Sequence, residues 1–233
     1  MASFSRRSLL RVAAVGATAG ALAVPGLLDA APVYAEATSS SYLTTVFDIL
    51  ATGEALFTTL YRLGAANHAK LGINGYALNA LLAIRTEEQI HFNFVVANGG
   101  TPLTTHFSFP MGSETFTDRG AFLATFELAE ELTNSALLAL IQDLAARGLV
   151  RLTQIAGQLM SVEGGHRVVS RVIRGEEPAD NWAFGPALLQ HFTDVPAAVT
   201  KAGFLSPRPG NDFAFVRVSD EFPGVINTTP VHV

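Results

Sequence analysis

The sequence predicts an all-α fold: an up-down four-helix bundle with a long crossover between its second and third helices. An irregular C-terminal tail follows, with a short helix and a stretch that alternates like an edge strand or hairpin arm. Three observations carry this reading. Four segments repeat apolar residues at helical spacing, a short Gly- and Asn-rich turn joins the first to the second and Gly148 the third to the fourth, and residues 101–117 between the pairs contain two prolines and no helical period. A long connection between two helical hairpins lets the second pair pack against the first.

The elements follow in order. Residues 37–66 open on serines that can cap a helix and place Phe47, Leu50, Glu54, Phe57 and Tyr61 on one stripe, so a glutamate sits within an apolar face. After a Gly/Asn turn, residues 76–97 align Leu81, Ile84, Glu88, His91 and Val95 and stop at Asn98, Gly99 and Gly100, a helix-ending signal. Asp118 can cap residues 119–147, where Leu123, Phe126, Glu130, Leu137, Ile141 and Leu144 share a face. Gly148 reverses the chain into residues 149–175, where Met160, Glu163 and His166 align and Arg167, Arg171 and Arg174 suit the negative end of the helix dipole. The domains expected are therefore 36–175 for the bundle and 176–233 for the extension.

Composition narrows the chemistry. The chain has 233 residues, 49% hydrophobic, with a formal charge of −5. That suits one globular domain and offers no basic excess to meet phosphates, which argues against a nucleic-acid partner. With no cysteine, disulfides, thiolate metal sites, iron–sulfur clusters and cysteine nucleophiles are excluded. Any metal must be held by His, Glu or Asp. No Gly-rich phosphate loop and no Ser-His-Asp ordering stands out.

Residues 1–35 read as a signal peptide. Arg6 and Arg7, followed by Leu9, Leu10 and Arg11, precede an apolar run over residues 12–28, and Val33 to Ala35 satisfy the small-residue rule for cleavage before Glu36. The arginine pair resembles the twin-arginine export motif. That resemblance implies export, folded and often cofactor-loaded, to the periplasm or the extracellular space, with no membrane attachment after cleavage. No other segment reads as long and apolar enough to cross a bilayer.

The chemistry concentrates in two Glu-x-x-His motifs, Glu88 to His91 and Glu163 to His166, because residues three apart on a helix can offer a carboxylate and an imidazole to one ion. Each follows a helix with its own inward glutamate, Glu54 or Glu130. Glu54 and Glu88 lie 34 residues apart, and Glu130 and Glu163 lie 33 apart. Each pair is centred on its turn, so equal rise along both arms sets all four carboxylates at one level. Four buried carboxylates repel one another and each loses hydration; two divalent cations cancel their charge. Glu127, one turn from Glu130, is an alternative ligand, and Glu87 can exchange roles with Glu88. The adjacent Gly164 and Gly165 interrupt a helix at a cost of about 1 kcal/mol each. They are expected to permit close helix approach or to leave a path for a small oxidant within a continuous helix.

These residues resemble the ferritin-like superfamily, whose dinuclear sites take one Glu from each of two helices and Glu-x-x-His from each of the others. The resemblance implies metal ligands Glu54, Glu88, His91, Glu130, Glu163 and His166, two Fe or two Mn ions, and redox chemistry with O2 or peroxide in ferroxidase, peroxidase-like or catalase-like form. The signal and residues 181–186 (NWAFGP) are similar to the secreted ferritin-like domain family related to desiccation-associated proteins, which implies stress protection. A homo-oligomer is compatible with this reading. The competing reading is a metal-free envelope or stress protein that keeps the bundle and acts by assembly or partner binding, with residues 213–216 (FAFV) as the contact.

Overall fold

The structure is a computed structural model that describes residues 40–219, 226–228 and 230. The expected signal peptide and its arginine pair lie outside the described residues. Within the unit Tyr34–Val233, four long helices form the bundle: α1 Ser40–Ala66, α2 Gly75–Ala97, α3 Arg119–Ala146 and α4 Val150–Arg174, with a short α5 at Val195–Lys201. Helices α1 and α2 make one hairpin and α3 and α4 the other.

The helix ends follow their sequence signals. Asp118 Oδ1 accepts the Ala121 N–H at 2.7 Å and starts α3. Gly148 (φ +69°) makes the reversal between α3 and α4, and Gly175 (φ +84°) ends α4 in the left-handed conformation that glycine adopts without a Cβ clash. Arg119 ties the hairpins together at one end. Its guanidinium donates to the Gly72 carbonyl at 2.9 Å in the α1–α2 turn and to the Ile173 carbonyl at 2.7 Å in the last turn of α4.

By length and apolar composition α1 does meet the requirement for a membrane span, contrary to the expectation that only the leader would. However, 61% of that stretch is buried within the bundle, as befits a core helix carrying Glu54.

The crossover is more ordered than an aperiodic loop. It contains the two-residue strand β1, His106–Phe107, and a 3-10 turn, Gly112–Phe116; β1 pairs antiparallel with β2, Phe213–Ala214, from the tail. The alternating tail stretch thus supplies a strand that pairs across the molecule, and just before it Arg208 and Asn211 bridge antiparallel around a two-residue turn. Asn211 reinforces the junction by accepting the Phe109 N–H and donating to the Phe109 carbonyl, each at 2.9 Å. Phe109 contacts Phe116, Phe204 and Phe213 with ring centroids 5.0, 6.1 and 5.3 Å apart, a small aromatic core closed by crossover and tail together. Of the apolar residues expected to serve a partner, Phe213 is half-buried in this core and Phe215 packs on Phe92. Val216 remains exposed.

Asp143 on α3 anchors the tail. Its Oδ2 accepts the Phe192 N–H at 2.9 Å and its Oδ1 lies 3.1 Å from His191 Nδ1. Burial alone raises this carboxyl's pKa, but the Phe192 N–H, His191 and Arg147 outweigh that and hold it below the usual value. A depressed folded pKa gives stability that is present above the unfolded value, about 3.9, and lost as pH falls through the folded one. Asp143→Ala is therefore expected to cost about 1–3 kcal/mol at neutral pH. In denaturant titrations across pH, the gap between parent and variant should hold above about pH 5 and close at lower pH.

The remaining histidines have structural partners. His68 Nδ1 lies 3.1 Å from the Ile73 carbonyl and His106 pairs with Asp212 at 2.8 Å, both away from the bundle axis. His232 lies outside the described residues.

Candidate metal centre

Helical spacing turns Glu54 of α1, Glu88 and His91 of α2, Glu130 of α3, and Glu163 and His166 of α4 toward one level of the bundle axis. Their donor atoms form two groups, each within 4.8 Å: Glu54, Glu88, His91 and Glu163; and Glu88, Glu130, Glu163 and His166. Glu88 and Glu163 belong to both. Glu54, Glu88, Glu130, Glu163 and His166 are all buried, and the His91 side chain is 12% exposed.

The shared carboxylates divide their oxygens between the histidines. Glu88 Oε1 lies 3.0 Å from His166 Nδ1, and Oε2 lies 3.7 Å from His91 Nδ1. Glu163 repeats this, with Oε1 at 3.2 Å from His91 Nδ1 and Oε2 at 3.0 Å from His166 Nδ1. Glu54 Oε2 completes the His91 side at 3.6 Å, and Glu130 Oε1 the His166 side at 3.9 Å.

Protons cannot satisfy this arrangement fully. Despite their short contacts, Glu54 Oε2, both oxygens of Glu88, Glu130 Oε2 and His91 Nδ1 are buried without a well-directed hydrogen bond, and a buried polar group left unsatisfied costs about 1–3 kcal/mol. Burial raises the pKa of Glu54 and of Glu130 well above the ordinary carboxyl value. Burial opposes a charged His166, but Glu163, Glu87 and Glu88 prevail and raise it well above the usual imidazole value; for His91 burial is likewise outweighed, by Glu163, Glu54 and Glu88. Burial also opposes an ionised Glu163, yet the two histidines hold its carboxyl far below its ordinary pKa. The cluster is a set of convergent oxygen and nitrogen donors that could hold cations in place of those protons, and carboxylate with imidazole suits Fe or Mn. The residues present fit a pair of such ions.

Three glutamates on α3 sort by direction. Glu130 turns inward. Glu127 turns to Arg171 at 2.9 Å and Arg174 at 3.1 Å, and Glu131 to Arg167 at 3.1 Å. Glu127 therefore stands outside both donor groups, because the arginines of α4 neutralise it on the neighbouring face. Arg171 and Arg174 stand in the last turn of α4, as the dipole reading expects, and there pair with Glu127 and Glu176. Arg167 also stacks on Trp182 at 3.6 Å and donates to Asn181 Oδ1 at 2.9 Å, which fastens the start of the NWAFGP stretch to α4.

Two contributors lie behind the donors. Glu87 Oε2 accepts from His166 Nε2 at 2.8 Å, and the Tyr61 hydroxyl donates to Glu130 Oε1. Glu87 keeps its own position instead of exchanging with Glu88: it fixes the far nitrogen of His166, so Nδ1 faces the donors. Glu87→Ala should weaken metal affinity about 10- to 100-fold, read by competition with a chelating dye. The signal for Tyr61 was its place on the Glu54 stripe; for Glu87, only adjacency to the motif.

Through Glu163 and His166, α4 is continuous helix, as the sequence predicts. The glycine pair is another matter. A Cβ at Gly164 would stand 3.6 Å from Asn134 Oδ1, an ordinary contact, and one at Gly165 would meet nothing within 4 Å. Close helix approach is thus not their role, and both line a surface groove beside Trp182 and Phe184. Gly165→Ala is expected to stabilise the protein by about 0.4–1 kcal/mol, measured by denaturant unfolding, with metal content unchanged.

Comparison with known proteins adds one match. A family model described as a ferritin-like domain covers residues 33–176, the stretch that holds all six donors. No curated protein and no solved structure matches the chain.

Proposed function

Since the chain belongs to the ferritin-like domain family, we propose that it is an exported protein holding two iron or two manganese ions and using them in redox chemistry with O2 or peroxide. One observation carries this reading: Glu88 and Glu163 each present one oxygen to each histidine side, the disposition a bridging carboxylate needs. When bound, such a metal pair supplies reversible one-electron changes by which O2 or peroxide is reduced.

The chain's own residues do the rest. Glu54 with His91 and Glu130 with His166 terminate the two sides, while Glu87 orients the His166 ring. Tyr61 holds a proton at Glu130, and Phe126, whose ring centroid lies 4.7 Å from that of Tyr61, helps keep this end free of water. Arg6, Arg7 and the NWAFGP stretch support export and membership of the secreted branch related to desiccation-associated proteins, and with them a role in stress protection outside the cytoplasm.

Elemental analysis of protein purified from its native compartment tests the reading. Two Fe or two Mn per chain are expected, together with consumption of O2 or peroxide by the reduced protein. A folded protein that stays metal-free after anaerobic incubation with Fe(II) or Mn(II) overturns it.

A further inference from the structure

A pocket lies between α1, α3 and the tail. It is lined almost wholly by apolar side chains, among them Ile49, Phe57, Leu137 and Phe204, and Glu54 is the one ionisable residue in its wall. The two hydroxyls of the lining are engaged elsewhere. Thr52 Oγ1 donates to the Asp48 carbonyl and accepts the Leu103 N–H, and Thr133 Oγ1 donates to the Ala129 carbonyl. Apart from a mouth open to solvent beside the exposed Leu103, the wall therefore offers a guest hydrocarbon everywhere except at Glu54, a donor of the metal centre.

We propose that this pocket binds a small apolar molecule, of the class to which dioxygen belongs, and delivers it to the Glu54 side of the centre. The inference rests on the metal-centre reading above and names the oxidant it favours. Size and polarity decide between candidates. The pocket volume is about 70 Å3, whereas an apolar cavity of about 150 Å3 stays dry and takes benzene or xenon; a guest of a few heavy atoms fits. Hydrogen peroxide has two hydroxyls; Glu54 can partner one, and burying the other without a partner costs about 1–3 kcal/mol. Dioxygen incurs no such cost. Gly53 supports the assignment: it lines the pocket within α1, and a Cβ there would have only Phe57, at 3.9 Å, as a neighbour. The opposite side of the centre differs in character. There, on the α2–α4 face of the bundle, Glu87 and His91 line a wider opening in which Gln158, Ser161 and Asn227 stand among apolar side chains such as Ile90 and Phe94, a more polar wall than that of the pocket.

The test uses the full chain, metal-free and metal-loaded, with xenon as the apolar probe. Xenon-pressurised crystals of the parent should show xenon beside Glu54 in both states. Xenon NMR titration should show saturable binding that Gly53→Leu and Thr133→Leu each weaken by about tenfold or more, with folding verified by thermal unfolding. In the reduced, loaded protein, Gly53→Leu should slow oxidation by O2 several-fold at low O2 and leave oxidation by hydrogen peroxide unchanged. An empty pocket in the xenon-treated parent overturns the proposal. So does equal slowing of both oxidants, or an O2 rate indifferent to the filled pocket. Because the xenon site is read on metal-free protein as well, failure to bind metal sinks the metal-centre reading and remains distinguishable from failure of the pocket.

Discussion

Glu163→Gln and Glu88→Gln should each abolish binding of both metal ions, whereas Glu54→Gln and Glu130→Gln should each lose chiefly one. The reason is geometric. Glu88 and Glu163 are the only residues common to the two donor groups among the described residues, and each has one oxygen on either side. Removing one charge from a shared carboxylate weakens two sites at once and leaves like charges poorly screened. Elemental analysis after loading and desalting reads the difference directly. Equal losses across all four variants would show that the carboxylates act as one diffuse acidic patch. In metal-free protein the sign reverses for Glu130→Gln: burial raises the Glu130 pKa well above the ordinary value, so in the empty cluster this carboxyl must either take up a proton or stay a buried charge, and either costs stability at neutral pH. The neutral isostere should stabilise metal-free protein by on the order of 1 kcal/mol or more. Opposite signs in loaded and empty protein mark a residue kept for a ligand rather than for the fold.

Chelation is the second large effect. A ligand at about 100 times its Kd stabilises the folded state by about 2.7 kcal/mol, so two ions held that tightly contribute about 5 kcal/mol. At about 2–4 °C per kcal/mol for a chain of this size, removal of both should lower Tm by about 10–20 °C. The effect should depend on pH in a defined direction. In the empty protein both histidines have pKa values raised well above the usual imidazole value, so loading must expel their protons. The Tm difference between loaded and chelated protein should therefore grow as pH rises from about 6 to 8. Calorimetric scans at several pH values, with and without chelator, measure it.

The convergence of Glu54, Glu88, His91, Glu130, Glu163 and His166 was legible in the sequence because its determinants lie within each helical hairpin. Spacing of three within a helix and symmetry about each turn are properties of adjacent residues, and they level the carboxylates without further information. What could not be read depends on partners distant in the chain. Glu127 and Glu130 lie on nearby faces of α3, and only the arginines of α4 determine which turns inward. Glu87 and Glu88 are neighbours until His166 selects one as support and the other as donor. Pairing of Phe107 with Phe213 joins segments of weak strand character that no periodicity could match. The glycine pair misled for a related reason: glycine announces missing volume, but which neighbour uses the space is a tertiary fact.

The aromatic core of the crossover has a consequence in the order of synthesis. Phe107, Phe109 and Phe116 precede α3, while Phe204 and Phe213, which cover them, come after the whole bundle has been made. A chain halted after Gly175 has all six donors but leaves those rings open to water. The aromatic core can therefore close only once the tail has been synthesised.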